Sequence, residues 1–374
     1  MEEKFAIAFS EKDREKAAKE VSLKIKLSFP RQINHLLVFF TPHYDPSNIL
    51  KTINFTLKPK TIHGAQAPFL IFEDKIISKG IVACCINKKE VELKEGFLKN
   101  GRAQEIESFL NTYFGKLNRK DFCLLSFMSV QINPYSYLNG TRSSLGKFFN
   151  LTGAGYIKKY SSYSSQIIND KANEGLLNLA VKGLDSHSIK LGGWIPLGKP
   201  FIITKASASK DVIIEINSQP AVHIFKHYLE DKFETFMKNR LFSFYPLGIG
   251  PAKEIQLINI IDCLEDGSLA CIGEVKEGES GHIMFLDSSL ILKSLSQRLA
   301  PFKSKNESLI FIVNSLTRKK ALKEVYTEEI QTIKHILGNQ AKIIGLYSDY
   351  VVFSDKEKGG LSLESGNLLL NSWQ

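Results

Sequence analysis

The residues best suited to chemistry are Asn314-Ser315-Leu316-Thr317-Arg318, which follow directly on an apolar strand run at 309–313 and precede a helical stretch. Loops at the carboxyl ends of strands in open α/β sheets are where ligands bind. Two hydroxyls and a guanidinium fork suit a carboxylate. The alternative reading of the same residues is a helix N-cap followed by a surface arginine. A second candidate is Gly192-Gly193-Trp194-Ile195-Pro196-Leu197-Gly198-Lys199-Pro200. Its glycines and prolines shape an irregular backbone around one indole, which can wall a pocket and donate its N–H, or mark a bend before the next strand. A third is Gly153-Ala154-Gly155, which lacks the third glycine of a dinucleotide loop and reads as a close backbone approach, with a ligand as one of the things approached.

Other groups carry less. His223 and His227 stand four apart, but no Glu follows His223 and no third ligand is evident, so two helix histidines is the preferred reading. Cys84-Cys85 reads as a strand with one thiol on each face. There is no Gly-x-Ser-x-Gly, no phosphate-binding P-loop and no complete metal set. The expectation is a protein without catalytic residues, metal or cofactor.

These candidates need elements to hold them, and one pattern returns three times. Residues 35–40, 122–130 and 309–313 are apolar strand runs. Each leads through a loop into a helical stretch, at 46–57, 137–149 and 321–337, then into a short strand ending in Gly64, Gly153 or Gly345. A βαβ crossover has this form. Between these units, 81–86, 176–181 and 212–216 read as short strands. Asp266-Gly267 reads as a hairpin turn between strands at 254–261 and 268–275. Ser10 with Asp13 suggests a capping box for a first helix, and residues 221–241 read as one long amphipathic helix. The fold class is α/β, as two layered, sandwich-like domains with mixed sheets. A helical lead-in spans 1–32, a first domain 33–220 and a second 221–374.

Composition narrows the class. The 374 residues are 43% hydrophobic and 24% charged, ordinary values for a globular chain. The net charge is +10, but the basic residues are mostly scattered lysines with short runs such as Lys158-Lys159 and Arg318-Lys319-Lys320, so a solvated surface is preferred to a nucleic-acid face. Five cysteines in a long chain argue against a disulfide framework. The N-terminus resembles no secretory signal, and charge interrupts every apolar run before membrane-spanning length. The expected location is a reducing cytoplasm, without membrane insertion.

The stretch from Gly193 through Trp194 and Pro196 to Gly198, continuing through Thr204-Lys205-Ala206 and through 212–216 to Pro220-Ala221, resembles the FIST proteins. Tyr245-Pro246-Leu247-Gly248 and the ending Gly345-Leu346-Tyr347-Ser348-Asp349 are similar to that family as well. The resemblance covers roughly residues 33–354. It departs from the family where no Cys or Gly precedes Arg318, where Asp349-Tyr350 replaces a Gly-Glu pair, and at His63-Gly64-Ala65-Gln66, which lacks a following Gly. The resemblance implies a sensor of small ligands such as amino acids, with no established enzymatic activity. The two FIST-like parts leave little of these residues for an output domain, so the expectation is that signalling passes to a protein partner in trans. Gly153, Gly155, Trp194, Lys205, Ser315, Thr317, Arg318 and Tyr347 form the expected ligand-binding set. A nucleic-acid or membrane-surface binder, an interaction scaffold and an unrecognised hydrolase or transferase are the rival readings.

Overall fold

The structure is a computed structural model that describes residues 4–30, 32–88, 90–158, 165–251, 255–303, 308–356 and 359–374. Its architecture is three copies of one unit. The first runs β1 (Phe5–Ser10), α1 (Glu15–Ser28), β2 (His35–Phe40), α2 (Pro46–Thr56), β3 (Thr61–Gln66), a hairpin β4 (Leu70–Phe72) and β5 (Lys75–Ile77), and β6 (Ile81–Ile86). The second repeats it as β7 (Glu92–Leu98), α3 (Ala103–Phe114), β8 (Phe122–Met128), α4 (Pro134–Leu145), β9 (Asn150–Gly155), a hairpin β10 (Ser165–Ile168) and β11 (Lys171–Glu174), and β12 (Leu176–Lys182).

The third unit opens with β13 (Ser186–Leu191) and is then interrupted by an insertion. The insertion holds β14 (Trp194–Ala206), β15 (Val212–Ile216), β16 (Gln219–Pro220), α5 (His223–Leu229), α6 (Phe233–Lys238), β17 (Leu247–Ile249), β18 (Gln256–Cys263), β19 (Leu269–Ile272) and β20 (Ser280–Leu286). The unit resumes as α7 (Ser288–Leu299), β21 (Ser308–Ser315), α8 (Leu316–Leu322), α9 (Tyr326–Leu337), β22 (Ala341–Ser348), a hairpin β23 (Tyr350–Asp355) and β24 (Gly359–Glu364), and β25 (Leu368–Trp373).

Each unit builds a six-stranded sheet, and each takes its last two strands from another unit. The orders are β1-β6-β2-β3-β10-β11, β7-β12-β8-β9-β23-β24 and β13-β25-β21-β22-β4-β5. The first hairpin therefore completes the third sheet, the second completes the first, and the third completes the second. The parallel pairs β2–β3, β8–β9 and β21–β22 confirm the three crossovers read from the pattern. Register makes the equivalence specific. Gly64, Gly153 and Gly345 pair across the parallel strand with Val38, Ser126 and Ile312, and across the exchanged hairpin with Ile167, Val352 and Ile71. At Gly64 and Gly345 an added Cβ would run into the neighbouring carbonyl oxygens of Val38 and Ile312, which accounts for glycine in those two copies; at Gly153 it would press mainly on the Val352 side chain.

The three sheets turn one face inward onto a shared core. Phe39, Phe127 and Phe311, one from each sheet, meet there with ring centroids 5.4 to 6.2 Å apart. The outer faces are covered by helix layers with separate apolar clusters, built on α1 and α2, on α3 and α4, and on α7 and α9. β2, β8 and β21 are thus buried on both faces, which is why they read as continuous apolar runs. Two crossover helices start the same way. Asp45 and Asn133 cap α2 and α4 from the residue before Pro46 and Pro134.

Several expectations change. The N-terminal lead-in is not only helical: β1 pairs with β6 along its whole length, from Phe5↔Ile86 to Ser10↔Ile81. Ser10 is therefore held in the sheet and caps nothing. Its hydroxyl donates to Glu20 Oε2 at 2.6 Å, and α1 starts at Glu15 without a side-chain cap. The long helix expected over 221–241 is broken into α5 and α6, because Glu230 turns the chain at φ 43° and Arg240 at φ 50°. The helix expected over 321–337 starts earlier, at Leu316, and breaks at Lys323. The sheets also cross the boundary at 220: β14, β15 and β16 share one seven-stranded sheet with β17 to β20. Lys159 and the serine-tyrosine run after it lie outside the described residues.

Candidate functional site

Three buried hydroxyls stand at equivalent carboxyl ends. Thr41 follows β2, Ser129 follows β8 and Ser315 ends β21. Their backbone N–H groups donate to Gly80, Gly175 and Asn367 carbonyls at 3.0, 2.8 and 3.2 Å. The third position differs from the others because the helix follows at once: Ser315 Oγ accepts from Thr317 N and caps α8.

Most of the residues expected to bind ligand converge here. Gly366 N–H donates to Ser315 Oγ at 2.9 Å, and Gly366 O accepts from Trp194 Nε1 at 2.8 Å. Ser365 Oγ lies 2.9 Å from Thr317 Oγ1 and donates to Asp349 O. Asp349 N–H donates to Gly155 O at 3.0 Å, which brings the Gly153-Gly155 strand to the same place. Ser315, Thr317, Arg318, Tyr347, Trp194, Gly153 and Gly155 are thus assembled by the turn at Ser365-Gly366 and by Asp349. Lys205 is not among them; it sits exposed on β14, opposite Glu215.

Their roles differ from those expected. Arg318 is fully buried, and its fork is engaged by Glu329, with Nη2–Oε1 2.6 Å and Nε–Oε1 3.0 Å. It is an internal ion pair and not an open carboxylate receptor. Glu329 and Arg318 share a buried network with Asn314 and Tyr347, whose hydroxyl pKa burial drives well upward. Trp194 pins the root of the insertion to the Ser365-Gly366 turn. Gly155 is required by the Tyr350 ring, which an added Cβ would strike.

The space beside this assembly is a groove between the second unit, the third unit and the inserted sheet. Its wider part, about 340 Å³, is lined by Ile132, Tyr135, Tyr156, Lys158, Asp211 and Cys271, among others. A narrow recess of about 80 Å³ adjoins it through the shared residues Ile157, Ile261 and Ile272, and is lined by Arg240, Asn259, Thr317, Lys320 and Asp349. Asn259 is 5% exposed. Its Nδ2 donates to Thr317 Oγ1 at 3.3 Å, and its Oδ1 has no donor among the described residues. A buried acceptor without a donor is costly unless something else supplies one. The insertion is held over the groove by Tyr135, whose hydroxyl donates to Cys271 O at 2.7 Å and accepts from Gly273 N–H at 3.2 Å. Arg142 adds a two-pronged pair with Glu274.

Two other cavities are larger or comparable but less built. One of about 770 Å³ lies at the ends of β1 and β2, where its charged lining residues Asp13, Arg14, Glu15 and Lys16 are exposed. One of about 310 Å³ on the insertion holds His223, His227, Lys199 and Tyr228. No group of three metal-ligating side chains occurs among the described residues. Cys84, Cys85, Cys123 and Cys271 are buried and form no disulfide among the described residues. Burial pushes the thiols of Cys85, Cys123 and Cys271 up to about 12.

Sequence reasoning missed Glu329, Ser365, Gly366 and Asn259. A Ser-Gly pair between two strand runs is a turn signal at 365–366, but nothing local to Asn259 or Glu329 marks what they face.

No curated protein matches the chain. Along its length the fold is similar to a cyanuric acid hydrolase from A. caulinodans, at 5% identity and TM-score 0.38 over 98% of each chain. It is similar to a chorismatase at 8% identity and TM-score 0.33 over 99% of this chain and 98% of that one. Both likenesses are too distant to bear on function. Residues 34–219 match the FIST N domain and residues 221–349 the FIST C domain, and the two meet inside the seven-stranded sheet that roofs the groove. With both matches in order and most of the chain covered, the protein belongs to the FIST family, whose domains are associated with small-ligand sensing in signal transduction.

Proposed function

We propose that the groove binds a small zwitterionic or carboxylate ligand, an α-amino acid being the best fit, and that the protein acts as a sensor and not as an enzyme. The observation that carries this is the unpaired Asn259 Oδ1 in a recess that also holds Asp349, Arg240 and Lys320. An ammonium group would supply the missing donor to Asn259, with Asp349 as counter-charge. A carboxylate would meet Arg240 and Lys320. The recess takes only a few atoms, so the ligand's side chain would extend into the wider, more apolar part beside Ile132 and Tyr135.

A binding role is favoured over catalysis by the state of the hydroxyls. Thr317, Ser365 and Ser315 bond to one another and to backbone, with no histidine lining either part of the groove. A nucleophile needs a base within reach. Cys271 lines the groove, but at a pKa of about 12 it is not a thiolate.

Since the walls belong to the insertion and to two repeat units, a ligand touching all three would shift how the insertion packs. That change is the signal a partner in trans would read. A reducing cytoplasm suits five cysteines that form no disulfide among the described residues, and no helix among those residues is long and apolar enough to cross a membrane. Thermal-shift and calorimetric titration with amino acids and small carboxylates tests the reading. The expected result is a selective hit that is lost in Asn259→Leu. Selective binding that survives Asn259→Leu would remove the recess from the site.

A further inference from the structure

The two most exposed large apolar side chains of the described residues are Leu27, 84% exposed, and Phe55, 85% exposed. Topology places them together. β1 and β2 both pair antiparallel with β6, and β3 is parallel to β2. α1 and α2 therefore each run back to the edge where β2 and β3 begin, side by side on one face of the first sheet. Leu27 is next to last in α1 and Phe55 next to last in α2, so both stand at that edge, away from the loop that follows β2.

The charge around them is one-sided. No Asp or Glu occurs between Glu20 and Asp45, or between Asp45 and Glu73. In those spans Lys26, Lys51, Lys58 and Lys60 are exposed. Four acidic residues from neighbouring elements share the edge: Glu90 and Asp170 stand beside Lys88 and Lys171, Glu92 faces Lys182, and Glu95 is engaged by His63 and Asn169, so each has a basic or hydrogen-bonding neighbour. The whole chain adds a net charge of +10.

A single exposed apolar residue needs no explanation. Two that protrude from helices whose own spans carry lysines and no acids form a recognisable pattern. Protein interfaces are depleted in lysine and need a contiguous apolar core. A bilayer needs no shape complementarity. It takes protruding apolar side chains into the headgroup boundary while flexible lysines meet lipid anions. We propose that this edge of the first unit docks reversibly on an anionic membrane surface, with Leu27 and Phe55 entering the headgroup region and Lys26, Lys51, Lys58 and Lys60 contacting lipid phosphates and carboxylates.

Co-sedimentation of the full chain with vesicles tests this, using phosphatidylcholine alone and phosphatidylcholine mixed with phosphatidylserine. The expected result is binding only where phosphatidylserine is present, weakening as salt rises. Leu27→Ser with Phe55→Ser lowers affinity at least about tenfold while the melting curve is unchanged, because both side chains are in water already. Lys58→Glu with Lys60→Glu also weakens it and flattens the salt dependence. Equal binding to phosphatidylcholine alone, or binding that the serine pair leaves intact, would overturn the proposal. So would wild-type protein that stays in the supernatant at low salt, which would return the edge to a protein partner.

Discussion

Arg318 and Glu329 form a fully buried, two-pronged ion pair: the Arg318 Nη2 and Nε atoms lie 2.6 and 3.0 Å from Glu329 Oε1. The pair ties α8 to α9 beneath the carboxyl end of β21. Removing one member leaves an unpaired charge in the core, at a cost of about 3–5 kcal/mol. Glu329→Gln and Arg318→Met should each destabilise the fold by that order, measured by urea unfolding. Replacing both together should cost less than the sum of the two. Equal, additive losses would mean that the pair is not the relevant unit. Because Arg318 faces Glu329 and not the groove, its loss should act on stability before it acts on ligand affinity.

A second outcome concerns the recess. Thr317→Val removes the acceptor for Asn259 Nδ2 and the hydroxyl partner of Ser365. It should cost about 1–3 kcal/mol through buried groups left unpaired. In a ligand titration it should weaken binding without abolishing it, whereas Asn259→Leu should abolish it. Calorimetry on the two variants separates these effects.

Gly155 provides a steric test. Its Cβ would meet the ring of Tyr350, which is fully buried against β9. Gly155→Ala should destabilise by about 1–3 kcal/mol, as overpacking does. The penalty should shrink in a Tyr350→Leu background, where the ring is gone. A penalty that persists there would mean that the Tyr350 ring is not what excludes a side chain at this position.

The pH dependence has a definite sign. His35 bonds through Nδ1 to Thr61 Oγ1 at 2.9 Å and through Nε2 to Val91 O at 3.1 Å. Desolvation lowers its pKa, partly opposed by the Val91 carbonyl, and His63 and Lys60 push it further down. Below the ordinary value of about 6.5 the unfolded chain therefore binds the proton first. Stability should fall as pH drops through about 6.5 towards the lowered folded value, and be unaffected by this group above it. Denaturant midpoints at about pH 7.5 and about pH 5.5 check this. His35→Gln should reduce the difference between them.

The local part of this protein can be read from its amino-acid order. Strand runs buried on both faces and the glycines at Gly64, Gly153 and Gly345 were legible because hydrophobic period and backbone punctuation act over a few residues, whereas the caps at Asp45 and Asn133 are seen only in the structure and the second crossover helix starts at Pro134, ahead of the expected 137. The same signals showed the β–α–β pattern three times, but the loop read at Ser315 to Arg318 is the end of β21 and the capped first turn of α8. Tertiary structure alone decided how the three copies exchange hairpins, since antiparallel partners such as Ile71 and Gly345 stand far apart in the chain and no local period announces them. It also decided what the chemical groups do. Arg318 was turned from a receptor into a core ion pair by a glutamate eleven residues on, Trp194 into a pin by the Gly366 carbonyl, and Asn259 into the open acceptor of the recess. Side-chain role follows from the partner that burial supplies, and that partner comes from long-range packing.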